Sequence, residues 1–68
     1  MNQMQEAYVN SLVTSKAEAL KKGSTDSDVF VITRSVYDEI IEAGVLDPDS
    51  DMQLRIYNAL SQHRDSLN

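Results

Sequence analysis

Residues 28–44, DVFVITRSVYDEIIEAG, decide what kind of fold this chain adopts. Val29-Phe30-Val31-Ile32-Thr33 has the β-branched and aromatic content of a strand, while the remainder reads as helix. One continuous helix implies a self-contained bundle. A strand feeding a helix implies a dimer that pairs its strands in trans. Wound at about 100° per residue, Val29, Ile32, Val36, Ile40 and Ala43 fall in one row, and Phe30, Tyr37 and Ile41 in a second beside it. Arg34, Ser35, Asp38, Glu39 and Glu42 occupy the opposite half, and only Val31 is misplaced. As a strand, Val29 to Thr33 shows no alternation, so both its faces would need burial. No other stretch is a credible partner strand, and each buried backbone group left unpaired costs about 1–3 kcal/mol. The β-branched residues lower helix propensity by only about a few tenths of a kcal/mol each. Periodicity therefore outweighs propensity and predicts one helix over 26–43.

The flanks supply the helix boundaries. Thr25 and Asp28 have the spacing of a capping box, and Gly44 is placed to stop the helix in a left-handed conformation, with Val45 and Leu46 as the apolar residues after it. Upstream, Met4, Tyr8, Val9, Leu12, Val13, Ala17 and Leu20 share one side of a helix over about residues 3–22, ending at Lys21-Lys22-Gly23. Downstream, Asp47 as N-cap and Pro48 as first helical residue open a helix over about 48–66. Its apolar stripe is Met52, Ile56, Ala59, Leu60 and Leu67, with Tyr57 at the border and Leu54 pointing away. Three amphipathic helices with short connections predict an all-α, small antiparallel three-helix bundle forming a single domain.

Sixty-eight residues lie near the lower limit for an unassisted core, and there is no cysteine to cross-link it. Pairing as a homodimer, or support from another partner, follows as an expectation. The longest aliphatic-aromatic run is Val29 to Ile32, far short of a membrane span, and MNQMQEAY has neither a basic nor an apolar leader region. The default expectation is a cytoplasmic protein with no membrane partner.

Of the net charge of −5, the segment 26–51 carries −7: Asp26, Asp28, Asp38, Glu39, Glu42, Asp47, Asp49 and Asp51 against Arg34. Such a field repels nucleic acid and attracts basic surfaces. Asp47-x-Asp49-x-Asp51 has the alternating acids of a calcium loop, but Met52 replaces the glycine and Asn58 the closing glutamate. A helix cap is the better reading, and no metal or cofactor is expected. His63, the single histidine, falls in the apolar stripe of the third helix and reads as a partly buried packing residue. Without a glycine-rich phosphate loop or a cluster of catalytic residue types, the protein is not expected to be an enzyme.

What remains is a surface. Val31 and Leu54 are off-pattern apolar residues beside carboxylates, which suits a binding patch with an acidic rim, although isolated exposed apolar residues are also ordinary. Asp38, Glu39 and Glu42 share an outer face, and Phe30, Tyr37 and Ile41 form the apolar row left for a partner. These eight residues are the partner-binding candidates of a non-enzymatic interaction or regulatory module, an inhibitor or adaptor that meets a basic surface on another protein. Two alternatives stand beside it. A strand followed by two helices is the order of ribbon-helix-helix regulators, though Val29 to Thr33 lacks the Arg, Lys, Asn or Gln of a base-reading strand. A structural subunit of a larger assembly would also fit.

Overall fold

The computed structural model describes residues 2–68 and contains three helices: α1 (Gln3–Ala17), α2 (Asp26–Ala43) and α3 (Ser50–Leu67). The deciding stretch is helical throughout. Thr25 caps α2, its hydroxyl accepting from Asp28 N–H at 3.2 Å while the Asp28 carboxylate accepts from Thr25 N–H at 2.9 Å. At the other end Gly44 adopts φ 68° and its N–H donates to the carbonyls of Ile40 and Ile41. Residues 29–33 lie inside this helix, so the strand that a strand-paired dimer requires is not there.

The buried line of α2 runs through Val29, Thr33, Val36 and Ile40, so Thr33 takes the central place and Ile32 is only half-buried. A polar residue is tolerated there because its hydroxyl donates to the Val29 carbonyl at 2.8 Å, one turn back. Val9, Ala17 and Leu20 from the α1 side, and Met52, Ile56 and Leu60 from α3, complete the core. Consecutive helices are antiparallel. Glu6 of α1 meets Arg55 of α3 at one end, and at the other Arg64 of α3 reaches Asp26 at the start of α2. The body measures 33 × 19 × 18 Å, and α2 with α3 forms the most extensive helix pair.

Several boundaries and burials differ from the sequence reading. Helix α1 ends at Ala17 rather than near residue 22: the N–H groups of Glu18, Ala19 and Leu20 donate three residues back, tightening the chain. That turn seats Leu20 in the core, and the positive φ of Gly23 (90°) serves the Lys21–Ser24 turn rather than the helix end. Helix α3 is capped by Asp49, whose carboxylate accepts from Met52 N–H at 2.9 Å, not by Asp47. Pro48 precedes the helix, and its carbonyl accepts from the Tyr37 hydroxyl at 3.1 Å.

His63 is exposed, not packed. It lines an open groove between α1 and α3, together with Val13, Thr14 and Ala17 of α1. Met4, Ala43, Ala59 and Leu67, expected on apolar stripes, are also exposed. Met4, Ala43 and Leu67 sit at helix ends, and Ala59 lines that same open groove.

Candidate protein-interaction face

The candidate residues are sorted by their helix phase. On α2, Phe30, Val31 and Ile41 are exposed by 51%, 65% and 53%, and Leu54 of α3 by 59%, which makes all four available to a partner. Phe30 and Leu54, far apart in sequence, meet across a depression of about 270 Å³ between α2 and α3. Its remaining walls are Thr33, Ser50, Gln53 and Tyr57. On the other side of Phe30 lies a shallower depression formed by Val31, Ser35, Asp38, Glu39 and Glu42, with Lys16 and Arg34 at its edges. Phe30 thus stands between an apolar slot and an acidic shelf.

Tyr37 does not join the exposed row. Its ring is half-buried, and its hydroxyl is engaged by Pro48, which makes it a strut between α2 and the α2–α3 loop. Ile41 lies about three helical turns beyond Phe30 on the same side of α2, so the apolar row continues past Tyr37.

Charge on the shelf is only loosely neutralised. Lys16 approaches Glu39 at 3.3 Å and Arg34 approaches Asp38 at 3.7 Å, both between exposed side chains, where such pairs contribute little. Glu42 has no ion-pair partner among the described residues. The other arginines are committed elsewhere. Arg55 chelates the Glu6 carboxylate, and that hydrogen bonding holds the Glu6 carboxyl below the usual carboxylate range. Arg64 is hydrogen-bonded to Asp26 at 2.7 Å, to Asp65 at 3.1 Å and to the Ser24 carbonyl, and the two carboxylates, Asp26 foremost, raise its pKa further. Both act as clamps between elements, leaving the outer face of α2 negative.

Six of the eight candidates therefore line the two depressions that meet at Phe30, while Ile41 lies further along the same side of α2 and Tyr37 is withdrawn. The slot residues Ser50, Gln53 and Tyr57 escaped the sequence reading because they enter only through the register of α3 against α2. Spacing gave one usable signal: Tyr57 follows Leu54 by three residues and shares its side of the helix. Among the described residues there is no group of three or more His, Cys, Asp or Glu side chains placed to hold a metal ion. Nor is any helix long and apolar enough to cross a membrane. No protein-family model, curated protein or solved structure matches this chain.

Proposed function

We propose that this is a non-enzymatic, cytoplasmic interaction module that binds a basic surface of another protein through the outer face of α2 and the adjoining edge of α3. The supporting observation is the concentration of exposed Phe30, Val31 and Leu54 beside Asp38, Glu39 and Glu42. An apolar centre with a charged rim is the arrangement of a protein-binding patch, in which the centre supplies affinity and the rim supplies rate and specificity. An inhibitor or adaptor acting by occlusion needs nothing more. The strand-paired regulator loses its support, since the stretch it depends on is helix α2.

The test is capture from a lysate of the source organism by the full chain, at low and high salt, beside the triple variant Asp38→Asn/Glu39→Gln/Glu42→Gln. A partner with a basic surface is expected at about 0.1 M salt, and depleted at about 1 M, where the Debye length falls from about 10 Å to about 3 Å. The triple variant should lose it even at low salt. A partner retained equally by wild type and variant at both salts overturns the reading.

A further inference from the structure

Beyond the slot at Phe30 and Leu54, the exposed apolar side of α2 continues. Ile41 lies on the same side of α2 as Phe30, at an axial separation of about 16 Å for a rise of 1.5 Å per residue. Phe30 and Leu54 line the slot between α2 and α3, and Ile41 extends the exposed apolar row along α2. Carboxylates lie beyond both banks. Asp38 and Glu42 stand on the far side of α2, and Asp51 shares the far side of Leu54 on α3.

We propose that this groove receives a basic amphipathic helix, which packs along α2 and α3 as a fourth helix of the bundle. Its apolar stripe rests on Phe30, Leu54 and Ile41, and its lysines and arginines reach Asp38, Glu42 and Asp51. The inference rests on the interaction-module reading above and specifies the shape and chemistry of the partner element.

Two arguments select that occupant. The first concerns the backbone. Among the described residues there is no strand, and the backbone groups along α2 and α3 are engaged in their own helices. An extended segment pressed into the groove would bury N–H and C=O groups with nothing to receive them, whereas a helix brings its hydrogen bonds with it. The length of the apolar row, about three turns, matches such a helix.

The second argument concerns charge, and it rejects a second copy of this chain. A two-fold contact sets the same patch against itself, so Asp38, Glu42 and Asp51 would face like charges, while the nearby Lys16 and Arg55 are paired with Glu39 and Glu6 and Arg34 with Asp38. Two bodies of net charge −5 also repel on approach. A cationic helix reverses both terms.

The experiment uses the full chain and three synthetic peptides of about five helical turns. One is a leucine/lysine helix with its leucines in a single stripe. The second has the same composition with the leucines scattered around the helix. The third keeps the stripe but replaces lysine with glutamate. Binding is read by fluorescence anisotropy, and the site by backbone amide shifts.

The striped cationic helix is expected to bind, with the largest shifts at Phe30, Leu54, Tyr57 and Ile41, and to exceed the scattered peptide by about tenfold or more. Leu54→Ala and Phe30→Ala should each weaken it by about tenfold, while His63→Ala, in the opposite groove, leaves it unchanged. Leu54 is largely exposed, so its variant retains the fold, which circular dichroism checks. Equal binding of the striped and scattered cationic peptides, with shifts confined to Asp38, Glu39 and Glu42, overturns the fourth-helix proposal and leaves the acidic-face reading standing. Equal binding of the glutamate peptide, or no binding by either cationic peptide, overturns the proposal on the charge side as well.

Discussion

The Tyr37 hydroxyl donates to the Pro48 carbonyl at 3.1 Å, tying the middle of α2 to the residue just ahead of the α3 cap. That bond takes Tyr37 out of the apolar row in which its spacing placed it, and gives the α2–α3 loop a fixed point. Tyr37→Phe removes the donor and leaves a part-buried carbonyl short of a partner. The expected loss is about 1 kcal/mol, or a drop in Tm of about 4–8 °C for a domain this small. Affinity for a partner at the Phe30–Leu54 slot should not change. A variant as stable as wild type in thermal unfolding would refute the strut.

Two buried hydroxyls should respond in opposite senses to the fit of their surroundings. Thr33 Oγ1 is satisfied by the Val29 carbonyl, whereas Ser61 Oγ is buried without a hydrogen-bond partner. Ser61→Ala removes an unsatisfied group and is expected to be neutral or stabilising by up to about 1 kcal/mol. Thr33→Ala opens space at a fully buried position and should cost about 1–2 kcal/mol. Urea denaturation of both variants decides the matter, and a destabilised Ser61→Ala would show that its hydroxyl has a partner in solution.

Gly44 is a purely conformational requirement. A Cβ placed on it meets nothing within 4 Å, yet its φ of 68° is one that side-chain-bearing residues adopt at a cost. Gly44→Ala should therefore destabilise by about 1–2 kcal/mol through backbone strain alone. Gly44→Asn should lose less, because asparagine tolerates the left-handed region better than alanine. Equal losses in chemical denaturation would argue against strain as the cause.

The Glu6–Arg55 clamp sets an acid response. Hydrogen bonding to Arg55 lowers the Glu6 pKa in the folded state relative to the unfolded chain, so the unfolded chain binds its proton first as pH falls. The stability from this pair is fully present above the ordinary glutamate value of about 4.3, and disappears as pH falls through the lowered folded value. Urea midpoints measured from about pH 6 to about pH 3 should fall more steeply for wild type than for Glu6→Gln. Parallel profiles would show that the clamp is not formed in solution. The pair is exposed, so the difference should be small.

Much of this architecture is local and was legible in the residues themselves. The rows through Val29, Val36 and Ile40, the Thr25/Asp28 capping box and the stop at Gly44 depend only on spacing and on backbone chemistry within a few residues. They established that 26–43 is a helix despite its strand-like composition, and with it the all-α bundle. The outer acidic face was equally plain, because carboxylates at helical spacing opposite an apolar row have nowhere to go but water. Tertiary packing decided the rest. It stopped α1 at Ala17 with Leu20 in the core, and put the α3 cap at Asp49, directly after the Pro48 whose carbonyl accepts from Tyr37. It left His63 exposed in the groove between α1 and α3, and set Leu54 beside Phe30 to make the slot. Each of these outcomes turns on how far and in what register two helices approach. Helical periodicity states which side of a helix is apolar, but not which residue of a neighbouring helix stands opposite it.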